Sequence, residues 1–468
     1  MKWQTSNRAI RILTLAAGAC LAWTSAQAVT VERGALRAGA ARVDITPPAN
    51  PEYPPSGKYA HERLYIRAIV LDNGVTRAAL IGADLGGLSE EAWKAASKQI
   101  AEELKCPVEN IIMSATHSHS AVPAGPPPPG PPQSGGSVVG PMMDAVRQAK
   151  AKLQPARVGF GTGFSYLNVA RDAVSEDTHL WTQAPNLDAP SDKTLAVVKF
   201  ATPTGEPIAA YMNYAMHPIN GYLVGITSAD FPGAACRYVE QAFDDSMVMI
   251  WTQGASGDQN PLLMRPATNA LASKSGVKIT GYELVREPVE APLRDGKVPH
   301  GKLDPKVADN FERWIESEGQ VLGEEVIRVM TNTRKMAGDA RIWGAQSNLS
   351  CPGRRRTNTG REGSPGTYED GEPVSIRLGL LGIGDIALTT VDGEVYNPIA
   401  LRLKKQSPMT NTVMVTLANG RANSGYVPND AAFGAYTFQV LGSRLKPGCA
   451  EQGIADGLTD LVTQYASK

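Results

Sequence analysis

The stretch "RAALIGADLGGLSEEAWKAASKQIAEELKCPVENIIMSATHSH", Arg77 to His119, decides the fold class. Its first part, "RAALIGADL" (77–85), is a short apolar run of the kind shown by a strand buried on both faces. Ser89 then precedes Glu90 and Glu91, and apolar residues recur at helical spacing to Leu104, so 89–104 reads as a helix capped by Ser89. "NIIMSATH" (110–117) returns to strand and "GPMMDAVRQAKAKL" (140–153) to helix. This order predicts an α/β fold with a mixed, largely parallel sheet core flanked by helices. Two hairpins supply the antiparallel part. "LAVVKFATPTGEPIAAYMNYAMH" (195–217) turns at Thr-Gly, and "VSIRLGLLGIGDIALTTVDGE" (374–394) turns at Gly-Asp. Residues 264–306 are polar and turn-rich and read as an insertion or flap ahead of a helix over 307–330. The stretch 351–373 carries four arginines cut by Gly and Pro and reads as a solvated loop. No short internal repeat is visible.

The chain opens with a basic start (Lys2, Arg8, Arg11), the apolar run "ILTLAAGACLAW" and the small-x-small site Ala26-Gln27-Ala28, the pattern of a cleaved export leader over 1–28. Ala17, three residues before Cys20, is a poor match to a lipidation signal. The expected mature region, 29–468, is one large domain in the periplasm or outside the cell. Loss of the leader leaves 43 basic against 46 acidic residues, a balance that argues against nucleic acid and against electrostatic docking to a membrane. No later segment is long and apolar enough for an integral membrane span. Four cysteines remain, Cys106, Cys236, Cys351 and Cys449; this is no disulfide scaffold, and a bridge between the later pair is one of the pairings left open. Oligomeric state is not legible.

Five apolar runs end in groups able to bind a metal or move protons: "NIIMSATHSH", "AAYMNYAMHP", "MVMIWTQGASGDQN", "IALTTVDGE" and "TVMVTLANGRANSGY". Ligands gather outside the carboxyl ends of strands in open α/β sheets. His117, His119, His217, Asp258, Glu394 and Tyr426 are therefore expected at one rim. His61, His179 and His300 stand outside these runs and are read as surface or structural residues.

The succession "GAARVDITPP" (39–48), "NIIMSATHSHS", "NYAMHP", "SADFPG" (228–233), "GASGDQNP", "VDGEVY" and "GYVPNDAAF" resembles the catalytic domain of the neutral/alkaline, non-lysosomal ceramidases over nearly the whole mature chain. The resemblance implies a catalytic zinc held by His117, His217, Glu394 and Tyr426, and a scissile amide held by His119, Arg171 and Tyr436. Zinc accepts neutral imidazole and carboxylate ligands, lowers the pKa of its water towards ~7 and polarises a carbonyl. The implied function is hydrolysis of an N-acyl or related amide, ceramide-like or otherwise hydrophobic.

Two departures bear on that function. Where the family carries Gly-Asp-x-Ser-Pro-Asn, this chain reads Gly257-Asp258-Gln259-Asn260-Pro261, so a serine nucleophile is not expected, and Asp258 and Asn260 read as supports for the loop. After His119 the family's short glycine-rich turn is replaced by a proline-rich stretch, Pro123 to Pro132, expected to wall the entrance. The chain also stops before the position of the family's C-terminal immunoglobulin-like domain. The expected substrate is thus a soluble amide with an apolar part rather than ceramide packed in a bilayer. A zinc esterase or lactonase, and a non-catalytic periplasmic binding protein, are the alternative readings.

Overall fold

The computed structural model describes residues 1, 32–48, 63–121, 138–220, 227–263, 305–360 and 362–468, without the side chains of 305–311. The leader, the Pro123 to Pro132 stretch and nearly all of the 264–306 segment fall outside the described residues.

Three apolar sheets are built to one plan. The first contains β1 (Arg37–Asp44), β2 (Tyr65–Asp72) and β3 (Arg77–Ala83), then α1 (Glu90–Leu104) and β4 (Ile111–Ala115), in the order β4-β3-β2-β1, with α2 (Val139–Ala151) following. The second starts with β5 (Arg157–Phe164). The chain then leaves for a small sheet, β6 (Asn168–Val174) and β7 (Trp181–Asn186), before returning as β8 (Thr194–Ala201), β9 (Pro207–Tyr214), α3 (Asp230–Ala242) and β10 (Val248–Gln253). The order is β10-β9-β8-β5; β11 (Gln259–Pro261) completes the small sheet on β6, and α4 (Pro305–Asn332) follows. The third contains β12 (Ile342–Arg356), β13 (Tyr368–Ile383) and β14 (Ile386–Val391), the short β15 (Glu394–Val395), α5 (Asn397–Gln406) and β16 (Asn411–Thr416), in the order β12-β13-β14-β16. β17 (Tyr426–Val427) lies parallel to β15, and α6 (Phe438–Gly442) and α7 (Ala450–Ala466) close the chain.

Each of these sheets holds three antiparallel strands, a helical crossover and a fourth strand parallel to the third. The expectation of a largely parallel core is therefore corrected: the sheets are mixed and mostly antiparallel. Tight turns, such as those at Gly205 (φ 102°) and Gly384 (φ 61°), can only return a strand antiparallel. The α1, α3 and α5 crossovers give the parallel pairs β3–β4, β9–β10 and β14–β16.

Alternation explains the packing. Ile69 and Leu71 of β2 face a core shared with Val198 and Phe200 of β8 and Leu381 and Ile383 of β13. Ile66, Ala68 and Val70, one residue out of phase, face α1 and α2. The second sheet's outer face is covered by α3 and α4, and the third's by α5 and α7. The inner strands of each sheet are thus dry on both faces, which is why they read as unbroken apolar runs. The closeness of the first two sheets shows at Gly82, where a Cβ would lie 2.6 Å from Ile250 Cγ2. Ser89 caps α1 as expected, its Oγ accepting the Ala92 N–H at 3.1 Å.

The 351–373 stretch is corrected as well. β12 runs to Arg356 and β13 starts at Tyr368, so most of it is strand. Its charge misled the reading: Arg354 does not seek solvent but stacks 3.9 Å over Tyr368 and donates to Val440 O at 2.6 Å. A Cys351–Cys449 disulfide, 98 residues apart in sequence, ties this hairpin to the start of α7, while Cys106 and Cys236 are free. Closing so long a loop restricts the unfolded chain, so Cys351→Ala/Cys449→Ala is expected to lose about 2–4 kcal/mol in urea unfolding. An unchanged midpoint and slope would contradict this.

Candidate metal and catalytic centre

The carboxyl ends of the parallel pairs meet at one place. His117 follows β4, His217 follows β9 and Glu394 follows β14, so each sheet contributes one side chain. His117 Nε2 lies 3.2 Å from His217 Nε2, and His119 Nε2 lies 3.3 Å from His117 Nε2. Ligand nitrogens of all three fall within 4.8 Å of one another. Glu394 Oε2 is 3.4 Å from His117 Nε2 and 3.5 Å from His217 Nε2.

The exit loop of the neighbouring strand holds two of the imidazoles, His117 and His217. Gly86, past β3, accepts from His117 Nδ1 at 2.6 Å, and Ser256, past β10, accepts from His217 Nδ1 at 2.7 Å. A carbonyl can only accept, so each Nδ1 carries the hydrogen and each Nε2 presents a bare lone pair. Two such lone pairs 3.2 Å apart repel unless a cation or proton sits between them. Glu394 Oε2 is buried and has no hydrogen-bond partner, its two imidazole contacts being too long for good hydrogen bonds. Burial, and next the Arg171 charge, hold the His217 imidazole down to about 3, so a proton is a poor occupant. Burial, then His117 and His217, likewise hold His119 well below the usual range. Burial raises the Glu394 carboxyl, while positive charge at His117 and His217 lowers it by more, so the group is ionised wherever those imidazoles, or a cation between them, carry charge. Two or three neutral nitrogens and a carboxylate are a donor set that fits a zinc-like cation. His117 is left-handed (φ 67°), a conformation a non-glycine residue keeps only where its surroundings enforce it.

Tyr426 lies against this cluster, its ring stacked 6.3 Å from that of His217. Burial, and next the Glu394 charge, push its phenol up. The Arg171 guanidinium sits 5.4 Å over the Tyr426 ring and 5.5 Å over Phe438. It donates to Gly257 O at 2.6 Å and Asn260 Oδ1 at 3.0 Å. Gly257 has to be glycine, because a Cβ would meet Glu394 O at 2.8 Å and Val395 O at 2.9 Å. Asp258 supports the loop: its Oδ1 accepts the Asn397 N–H at 2.7 Å and its carbonyl accepts the Arg171 N–H at 2.9 Å.

Of the residues expected from sequence, His117, His119, His217, Glu394, Tyr426 and Arg171 are brought together. Tyr436 lies half-buried, its carbonyl accepting from Gly363 N at 2.9 Å, and no hydrogen bond or ring contact among the described residues joins it to the histidines. Sequence reasoning missed two groups. Arg421 Nη2 lies 3.7 Å from Glu394 Oε1 at the mouth of the site. Asn220, three residues after His217, bridges the buried carboxylates of Glu318 and Asp230 with its side-chain amide. Only the polar Asn220 in "MHPIN" signalled the second.

Burial, then the Asp230 charge, push the Glu318 carboxyl up from 4.5 to about 8. Between those values the unfolded carboxyl is ionised and the folded one holds its proton, so this group costs increasing stability as pH rises through that window. Glu318→Gln removes the cost. Its gain over wild type in urea unfolding should grow from pH 5.5 to 8.5, reaching on the order of 2 kcal/mol. A gain independent of pH would show that Glu318 is ionised in the fold.

No protein-family model matches the chain. Among solved structures it is similar to a ceramidase complexed with C2, with a TM-score of 0.67 and 15% identity over 92% of this chain and 75% of that one. It is likewise similar to the neutral ceramidase from Pseudomonas aeruginosa, with a TM-score of 0.61, 15% identity and the same coverage of 92% and 75%. The chain has the neutral ceramidase fold. Among the described residues no helix is long and apolar enough to cross a membrane.

Proposed function

We propose that the chain is an exported zinc-dependent amidohydrolase that cleaves the linear amide bond of an N-acyl substrate. The observation that carries this reading is the convergence of bare imidazole nitrogens and a buried, unpartnered carboxylate oxygen from three sheets. Its fold, that of amide-cleaving enzymes, supports the reaction class.

His117, His217, Glu394 and Tyr426 would hold the zinc, which when bound supplies Lewis-acid polarisation and an activated water. Gly86 and Ser256 keep the His117 and His217 lone pairs aimed inward. His119, neutral through burial and its imidazole neighbours, takes a proton from the attacking water and returns it to the leaving amine. Arg171 lends fixed positive potential beside the carbonyl oxygen as it gains charge, and holds Tyr426 in place. Tyr436, which the resemblance sets beside the scissile amide, is given no part in this step, since no hydrogen bond or ring contact among the described residues joins it to the histidines. The whole of 29–468 acts as one catalytic domain. An oxidising compartment is where a Cys351–Cys449 bridge persists, in keeping with export after Ala28.

Short-chain N-acyl amides, the matching esters and ceramide in vesicles, assayed side by side, test the function. The dispersed amide is expected to be turned over best, with the ester as a side activity. Preference for the ester would favour an esterase or lactonase. Efficient turnover of vesicle ceramide alone would overturn the substrate class, and turnover of none of the three would leave a binding protein.

A further inference from the structure

Arg421 is mounted as a fixed feature of the mouth. The loop that carries it is pinned on either side. Asn419 exchanges hydrogen bonds with Met113, donating N–H to its carbonyl at 2.7 Å and accepting from its amide through Oδ1 at 2.9 Å. Ala422 N donates to Asp392 O at 2.8 Å. Leu417 (φ 52°) and Asn419 (φ 60°) are both left-handed. The anchors belong to the strand that leads to His117 and to the loop that leads to Glu394, so Arg421 is fixed relative to both.

Its guanidinium is nevertheless poorly satisfied. The side chain is 59% exposed, and its ion-pair partner among the described residues is Glu394, at 3.7 Å. The nearby Glu90 carboxylate is taken by Arg377, with an Nη2–Oε1 distance of 2.8 Å. Glu394 is itself shared with His117 and His217, and a cation held there would claim its charge. The Arg421 fork then faces solvent beside the reacting position without a full counter-charge. A planar guanidinium in that state is suited to a carboxylate. The width of one carboxylate, Glu394, separates it from the histidine nitrogens, so the anion it receives has to lie within a bond or two of the scissile amide.

We infer that Arg421 selects substrates bearing a carboxylate next to the amide nitrogen, so that the preferred class is the N-acyl amino acids. This rests on the amidohydrolase reading. Water adds across the C–N bond, releasing a carboxylic acid and a free amino acid whose carboxylate stays on Arg421 until it leaves.

The test pairs N-lauroylglycine with N-lauroylethanolamine, alike in chain length but differing in charge, in wild type and in Arg421→Ala, Arg421→Lys and Arg421→Glu, with folding checked by thermal unfolding. Wild type should favour the glycine conjugate in kcat/KM. Arg421→Ala should lower the acid-to-neutral ratio by about 10–100-fold, chiefly through KM for the acid, as the loss of a charge-assisted hydrogen bond predicts. Arg421→Lys should recover part of the ratio and Arg421→Glu should invert it. Equal losses on both substrates would mean that Arg421 acts through Glu394, overturning the inference. Wild-type turnover of the ethanolamide but not the glycine conjugate would also overturn it and leave the amidohydrolase reading standing. Turnover of neither would overturn both.

Discussion

His217→Ala is expected to empty the metal site and abolish amide hydrolysis together. The His217 imidazole is buried, tied through Nδ1 to Ser256 O at 2.7 Å and directed through Nε2 at His117 and Glu394. Removal takes away a ligand and its anchor at once, so metal affinity should fall by more than the roughly 10–100-fold typical of losing an outer partner. His117→Ala should behave alike, because its Nδ1 is held by Gly86 O and its Nε2 meets the same carboxylate. His119 is the contrast. It is only partly buried, and it is assigned to the proton rather than the metal, so His119→Ala should keep most of the zinc while turnover falls. Zinc counted in the purified variants decides the matter. If His119→Ala emptied the site while His117→Ala did not, the two histidines would have to exchange roles.

Arg171→Lys should lower turnover by about 10²–10³-fold with the metal retained, the usual cost of losing one preorganised charge-stabilising group. The guanidinium reaches Gly257 O, Asn260 Oδ1 and the faces of Tyr426 and Phe438 at once. A lysine ammonium keeps the charge but cannot make a planar fork or lie flat on the ring. The loss should appear in kcat more than in KM. A variant with normal kcat and intact zinc would reduce Arg171 to a support for the 257–260 loop.

The strand ends that build the site were legible because β4, β9, β10, β14 and β16 are buried on both faces, which turns them into apolar runs stopped by polar residues. Direction was not legible. Apolar content reports burial, and it is the connection, hairpin or crossover helix, that decides parallel or antiparallel. The threefold recurrence of strand order was hidden for the same reason, since many apolar sequences satisfy one topology. Arg354 read as a solvated charge because its stacking on Tyr368 joins residues of two different strands. Arg421 and Glu318 were invisible as site groups because their meaning lies in tertiary neighbours, Glu394 for one and Asn220 for the other. His117, His217, Glu394 and Tyr426 could be named from motif order, whereas the Gly86 and Ser256 carbonyls that aim two of them needed the fold.

The central claim is that the converging nitrogens and the Glu394 carboxylate hold a zinc ion on which amide cleavage depends. The most direct test is to strip the purified protein with chelator, return Zn²⁺ in measured steps, and follow bound zinc and N-acyl amide turnover in the same samples. The account predicts that activity disappears with the metal and returns in proportion to it, saturating at one zinc per chain. Full amide turnover in protein shown to contain no metal would contradict it.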